Sequence, residues 1–530
     1  MCGDFQMTEA NFHPRYQSLS DLIHSHASNR PTARAVEFAG RSLSWSELDL
    51  IGRCIGAQLN REGIKPGEHV GLLAKNSDAY FELLAGCSQA QCVLTPINWR
   101  LSADEIAFIL KDAEIRVLFV SSEYCDLARQ LLSDLDYEIR LFVLDGAERS
   151  DCTHYPTWRD NRSSDSLAGT PASSDVLLQI YSSGTTGTPK GVQLTHASVL
   201  AAAEQVRHGL VGDWSDEDRL LVALPLFHAG ALLTASYALF AGAASFILKD
   251  TNIDVLMQAA SEHRATKIGF VPALLRMVIE HPDFSADRFP ALDTIIYGGS
   301  AISPDVLQQA LKAFRADFVQ LFGMSETFTA GTVLTGPDHR DPARVNTCGR
   351  PMHGIELRVV RPDGSEADTD EPGEVLIKSA TIMKGYWGRP EQTAEVLQQG
   401  WYHTGDVGSI DSNGYLTIRD RLRDMVISGG ENIYPAEIEN VLMTHPEVAD
   451  CAVIGIPDPK WGEAVRAVVV STPDAPQNAD TLIEFLQARL ARYKCPRSVA
   501  FTDALPRNAT GKVLKRVLRE TSMQPETQSS

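Results

Sequence analysis

Tyr181-Ser-Ser-Gly-Thr-Thr-Gly-Thr-Pro-Lys-Gly-Val192 is the stretch on which the reading of this chain turns. Ser182, Ser183, Thr185, Thr186 and Thr188 supply hydroxyls, and Lys190 supplies a mobile positive charge. Gly184 and Gly187 allow the backbone to turn sharply and to expose its N–H groups. Amide dipoles, hydroxyls and an ammonium together replace the water that a polyphosphate loses on binding. The preceding run, Val176–Ile180, reads as a buried strand, and Thr195 as the cap of a helix through Leu200 and Ala203. The expected order is therefore strand, phosphate loop, helix.

The loop is not a Walker P-loop. That pattern needs Gly, four residues, then Gly-Lys-Ser/Thr, and Gly187 is followed by Thr-Pro-Lys. Gly511-Lys512 lacks both the upstream Gly and the following Ser/Thr. Kinase and GTPase readings lose their main support. A solvated linker is the bland alternative, but linkers rarely abut so apolar a strand.

The segment resembles the signature of the adenylate-forming superfamily, which includes acyl-CoA synthetases, peptide-synthetase adenylation domains and firefly luciferase. Further segments resemble that family in its order: Gln320–Thr327 (QLFGMSET), Tyr402–Asp406 (YHTGD), Asp420–Glu439 with its hinge, and Pro506–Lys512 (PRNATGK). The resemblance implies an α/β fold. A large N-terminal domain of parallel α/β sheets with a small β-barrel-like portion would span 1–420. A hinge would lie at 421–424, and a smaller mobile α+β domain at 425–530.

Composition bounds the rest. A chain of 530 residues buries large cores and holds more than one domain. Its 48 basic and 68 acidic residues give a formal charge of −20, which argues against a nucleic-acid surface and requires any ATP site to be locally positive. Cysteines are dispersed at 2, 54, 87, 92, 125, 152, 348, 451 and 495, without CxxC or zinc-like spacing. They suggest reduced thiols in a cytoplasmic protein. The N-terminus lacks a signal-peptide core. Segment 229–248 is interrupted and short for a membrane span, so it reads as a buried helix followed by a strand.

Ser44 with Glu47 and Ser102 with Glu105 have capping-box spacing. Helices are expected near 46–62 and 78–91, and one begins at Ser303-Pro304. Strands are expected at His69–Leu73, Arg219–Leu224, Lys267–Val271 and Asp293–Tyr297. Their alternation with helices implies parallel sheets. After Cys348, short strands between Pro, Gly and Asp suggest antiparallel structure. The final α/β pattern has strands near 451–456 and 465–471 and a helix near 480–493.

The resemblance implies a carboxylic acid–CoA ligase. The acid attacks the α-phosphate of ATP, pyrophosphate leaves, and CoA thiol then displaces AMP. Fixed donors, a lysine and Mg²⁺ dominate such a phosphoryl step. By resemblance the catalytic residues are Lys512, His228 and Glu326. Lys512 reaches the substrate carboxylate and the α-phosphate. His228 follows the aromatic Phe227 at the acyl pocket, and Glu326 with Thr185 holds Mg²⁺. The nucleotide contacts implied are Ser182, Ser183, Gly184, Thr185, Thr186, Gly187, Thr188, Pro189 and Lys190 in the loop. Gly299 and Ser300, then Gln320, Phe322, Gly323, Met324 and Ser325, follow near the base, with Phe322 placed to stack on adenine. Asp406 and Arg421 address the ribose. Ser428, Gly429 and Gly430 pass the pantetheine arm, and Arg423 stands at the hinge. The acid is expected to be fatty, alicyclic or a steroid side chain. An aryl acid and a luciferase-like monooxygenase remain alternatives, and a homodimer remains open.

Overall fold

The computed structural model describes residues 15–133, 135, 137–146, 152–161, 169–182, 189–428, 431–473, 475–507 and 513–523. Two units divide the chain: Met1–Leu357 with Ile377–Tyr402, and Arg358–Leu376 with His403–Ser530.

Alternation of short apolar runs with capped helices builds two sheets in the first unit. One carries the parallel neighbours Arg34–Phe38, Ala244–Ile247, Arg219–Val222, Lys267–Phe270, Thr294–Gly298 and Asp317–Phe322. Antiparallel strands close its ends. The other runs in the order Gly385–Tyr386, Lys190–Thr195, Val176–Ser182, Val93–Ile97, His69–Leu73, Val117–Val120, Arg140–Val143 and Thr153–His154. Parallel strands buried on both faces read as continuous apolar runs, and His69–Leu73 and Val93–Ile97 are buried throughout.

The capping boxes form as their spacing predicts. Ser44 and Glu47 start the helix Trp45–Arg61, and Ser102 and Glu105 start Ala103–Asp112. Ser303 caps Pro304–Ala313. The apolar segment at 229–248 is the buried helix Ala229–Ala241 followed by the strand Ala244–Ile247. Among the described residues no helix is long and apolar enough to cross a membrane.

In the second unit, Val448–Asp458 pairs antiparallel with Gly462–Ser471, and Ser498–Phe501 adds in parallel. Ile438 and Leu442 of the helix Pro435–Leu442 pack with Leu482 and Leu486 of Ala479–Gln487 on this sheet's core. The expected helix near 480–493 is thus shorter. It ends at Gln487 although Leu490 still packs on the core, and the chain tightens into a 3₁₀ turn at Arg492–Lys494, where Lys494 pairs with Glu437 at 2.7 Å.

Glu82 and Lys267 are charged side chains deep in the first unit. Glu82, 1 % exposed, sits in the apolar helix Ala79–Ala90. It accepts from Tyr155 Oη at 2.6 Å, Arg41 at 2.7 Å and Arg159 at 3.1 Å. Asp78 takes a further bond from Arg41. Removing one partner of a buried ion pair leaves the others uncompensated. Glu82→Ala is expected to cost about 3–5 kcal/mol, measured in the first unit's urea transition.

Candidate active site

The site is built on a hairpin. Val176–Ser182 and Lys190–Thr195 pair antiparallel, with Ile180 opposite Val192, Tyr181 opposite Gly191 and Ser182 opposite Lys190. Ser183, Gly184, Thr185, Thr186, Gly187 and Thr188 lie outside the described residues, as do Gly429, Gly430 and Lys512. The expected order of strand, loop and helix needs correction, because the strand Lys190–Thr195 follows the loop before the helix begins. Thr195 does cap that helix, accepting from Ser198 N at 3.1 Å. The helix N-terminus therefore lies a strand's length from the loop. Val192-Gln193-Leu194-Thr195 alternates in burial with period two, and this pattern was the available signal.

Buried side chains lock the two strands together. A Cβ on Gly191 would stand 2.7 Å from the Gln179 side chain, so the backbone there passes directly over it. Gln179 bonds His69 Nε2 at 3.0 Å and donates to Tyr181 Oη at 3.2 Å; Tyr181 donates to Asp112 Oδ2 at 2.7 Å. Burial pushes His69 down to about 4.

Gly298 pairs with Leu321, so Gly299-Ser300 and Phe322-Gly323 leave the sheet together at the carboxyl ends of their parallel strands. Ligands of open α/β sheets bind at such ends. A Cβ at Gly323 would lie 2.5 Å from the Thr329 backbone, and one at Gly298 2.4 Å from Leu321 O. Gly299, at φ +83°, and Ser300 are exposed, while Gln320, Phe322, Met324 and Ser325 are half-buried. Phe328 and Thr329 hold φ of 47° and 58°, a conformation costly to L side chains, beside this glycine. Thr329 Oγ1 is buried without a hydrogen-bond partner among the described residues.

Glu326 occupies a 3₁₀ turn, Ser325–Thr327. Its Oε1 accepts from Tyr386 Oη at 2.9 Å, and its carbonyl accepts from Met383 N at 2.7 Å. The Lys190 ammonium lies 4.9 Å from the centre of the same Tyr386 ring. Lys190 and Glu326 therefore meet across one phenol. Sequence reasoning missed Tyr386; its signal was the aromatic pair in Gly385-Tyr-Trp-Gly388.

His228 lies on the same sheet end, with Lys267–Phe270 between its strand and that of Gly299. Asn76 fixes the turn before it, donating to Leu224 O at 2.9 Å and accepting from Leu226 N at 2.8 Å. The His228 backbone begins the helix Ala229–Ala241, but its side chain makes no cap. Its ring rests 4.3 Å from that of Phe227, whose edge meets Trp99. Burial, then Arg100, pushes His228 down to about 4. Gly230 faces open space where a Cβ would stand.

The remaining site residues belong to the second unit. Asp406, 4 % exposed, pairs through Oδ1 with Arg421 Nε at 2.7 Å, and the two residues are opposite in the ladder between Trp401–Ile410 and Leu416–Arg421. Arg421 also donates to Thr404 O at 3.3 Å. Arg423 is exposed, 4.0 Å from Asp424, which Arg519 binds at 2.9 Å. Ser428 ends the strand Val426–Ser428 opposite Gly462. Around position 512, Arg507 bridges to Val513, and Leu514 N donates to Pro506 O at 2.8 Å. The nearby cations Lys515, Arg516 and Arg519 are committed to Glu439, Glu520 and Asp424.

The first unit brings Lys190 and Glu326 to one phenol, and the second unit pairs Asp406 with Arg421. The AMP-binding enzyme profile matches residues 23–387, and the AMP-binding enzyme C-terminal domain profile matches 437–512. The chain belongs to the AMP-binding enzyme family. Among its relatives, this AMP-binding enzyme is 36% identical to the fatty acid–[acyl-carrier-protein] ligase ScoC of Streptomyces coeruleorubidus, covering 96% of this chain and 97% of that one. It is 36% identical to feruloyl-CoA synthase of Amycolatopsis sp, covering 95% and 99%. Among solved structures, the o-succinylbenzoate CoA synthetase of Bacillus subtilis with ATP and magnesium aligns at TM-score 0.81 and 26% identity, over 93% and 98% of the two chains.

His228 is expected to be neutral at pH 7. Its folded value lies below the unfolded 6.5, so protonation favours the unfolded chain. Stability should fall as pH drops from 6.5 to about 4 and level off below. His228→Gln should remove that share of the slope, and NMR of ¹⁵N-histidine protein should place the ring's midpoint about 4.

Proposed function

We propose that this AMP-binding enzyme is an ATP-dependent carboxylic acid–CoA ligase working in the cytoplasm. The observation that carries the reading is the meeting of Lys190 and Glu326 at Tyr386, beside the paired strands Val176–Ser182 and Lys190–Thr195. Relatives named for fatty and for aryl acids support a carboxylate substrate. The proposed acid is fatty, alicyclic or a steroid side chain.

A carboxylate resists thiols because its charge quenches the carbonyl and oxide leaves poorly. In the first half-reaction a carboxylate oxygen bonds to the α-phosphorus and the bond to the pyrophosphate oxygen breaks. In the second, the CoA sulfur bonds to the acyl carbon and AMP departs. Loop amides and hydroxyls, with Lys190, hold the phosphates. Phe322 and the exposed backbone at Gly299-Ser300 flank the base. Asp406, oriented by Arg421, accepts the ribose hydroxyls.

The donor set fits Mg²⁺: Glu326 offers a hard oxygen, half-buried and held by a phenol. When bound there, the ion supplies charge neutralisation to the phosphates. Neutral His228 orients the acid without cancelling its charge. Lys512 bridges that acid and the α-phosphate, a role suited to a compact ammonium on a flexible stem. Its neighbours in sequence are already paired. Arg423 stands at the turn about which the C-terminal part rotates between half-reactions, and Ser428 begins the pantetheine path.

The function is tested by acid-dependent pyrophosphate exchange, followed by AMP release with CoA or acyl-carrier protein as acceptor, across fatty, alicyclic and aryl acids. No exchange with any acid overturns the reading. Lys512→Ala should lower exchange by about 10²–10³-fold, as losing one transition-state charge partner does. Thioester formation from supplied acyl-adenylate should largely persist; equal loss in both would remove the assigned role.

A further inference from the structure

Tyr386 is 8 % exposed, and a purely packing aromatic at its position would need no hydroxyl. This one donates at 2.9 Å to Glu326 Oε1. Its ring face meets the Lys190 ammonium, 4.9 Å from the centre. The pairing is not the accident of a mobile side chain, because the backbone on either side is tied down. Gly385 and Tyr386 pair antiparallel with Gln193 and Val192 of the hairpin. Lys384 N donates to Gln193 O and Trp387 N to Gly191 O, both at 2.8 Å. Met383 N reaches the carbonyl of Glu326 itself. Trp387 points the other way, as strand alternation requires. Its indole N–H donates to Asp112 O at 2.8 Å and its ring meets His69 at 4.5 Å. Arg389 holds the Asp112 carboxylate that also receives Tyr181.

Segment 383–389 thus clasps the loop hairpin on one side and the Glu326 turn on the other. We propose that Tyr386 is a positioning residue that couples the two halves of the phosphate site, its hydroxyl orienting the Glu326 carboxylate and its ring seating the Lys190 ammonium. The inference rests on the ligase reading above.

The electrostatic logic favours a phenol here over any charged partner. A direct Lys190–Glu326 salt bridge would neutralise both groups before nucleotide arrives, and both charges would then have to be pulled apart. The π face attracts the ammonium without cancelling its charge. The hydroxyl occupies Oε1, so a small octahedral cation would take this carboxylate through one oxygen, the presentation it accepts. Outer partners of this kind set ligand orientation and affinity. Tyr386 keeps the cation and the carboxylate close and oriented while each retains its charge for phosphate and for Mg²⁺.

The test is equilibrium binding of ATP to the full chain by calorimetry, once in EDTA and once across a Mg²⁺ titration, for wild type, Tyr386→Phe and Tyr386→Leu. Thermal unfolding checks the fold of each. Tyr386→Phe keeps the ring and removes one hydrogen bond. It should leave metal-free ATP affinity nearly unchanged and raise the half-saturating Mg²⁺ by about 3–10-fold. Tyr386→Leu should do the same to Mg²⁺ and also weaken metal-free ATP binding by about 3–10-fold, through loss of the ring under Lys190. Each variant decides alone. A Phe variant with wild-type Mg²⁺ dependence, or a Leu variant with wild-type metal-free affinity, overturns the proposal. Wild-type protein that binds ATP and exchanges pyrophosphate beside such variants leaves the ligase reading standing. Wild type that does neither sinks that reading, and this inference with it.

Discussion

A loop can hold a triphosphate only when both its ends are fixed, because ordering a free glycine-rich segment costs backbone entropy at every residue. The ladder from Val176 opposite Thr195 to Ser182 opposite Lys190 fixes those ends before any ligand arrives. Its outer edge is closed by Gly385 and Tyr386, so the hairpin is paired on both sides. From that closing strand hangs Glu326, through Met383 N. Lys190 and Glu326 therefore share one strand-paired support. Gly191 shows how tight the support is, since even a methyl group would strike Gln179.

The second constraint is charge. A chain with formal charge −20 repels ATP at long range, so local cations matter more than the total. Many of the described cations are spent on structural pairs: Lys75 on Asp250 and Arg389 on Asp112 in the first unit, and Arg421 on Asp406 in the second. Lys190 is held differently, by an aromatic face. Lysines held by carboxylates have lost much of their pull on phosphate, whereas a lysine on a ring keeps it. The buried cluster around Glu82 uses the opposite rule, matching charges within hydrogen-bond reach because no ligand needs them.

Much of this was legible in the chain. Ser44, Ser102 and Ser303 announce their helices because capping is local, read within four residues. Parallel strands such as His69–Leu73 are legible because burial on both faces makes them uniformly apolar. Legibility fails where partners are distant. Tyr386 gains meaning only from Glu326 and Lys190, and Glu82 only from Arg41, Tyr155 and Arg159. The strand Lys190–Thr195 escaped notice because its alternation is brief and runs straight into a good helix cap at Thr195. The helix expected near 480–493 stops at Gln487 although Leu490 still packs on the core, because the chain goes on into the separate 3₁₀ turn Arg492–Lys494. Ser183–Thr188 and Lys512, the residues most legible by resemblance, lie outside the described residues.

The turn at His228 carries a last consequence for the chemistry. A carboxylate nucleophile is best met by a cation that also holds the α-phosphate, as proposed for Lys512, because a positive charge at the acid alone stabilises the ground state along with the transition state and gains nothing in rate. Burial keeps His228 neutral far below pH 7, and Asn76 fixes the turn that presents it. If that ring faces the acid, as proposed, it can orient by a hydrogen bond and leave the negative charge reactive. Positive charge is then wanted where negative charge accumulates, at the phosphate. The lysine seated on Tyr386 supplies it there.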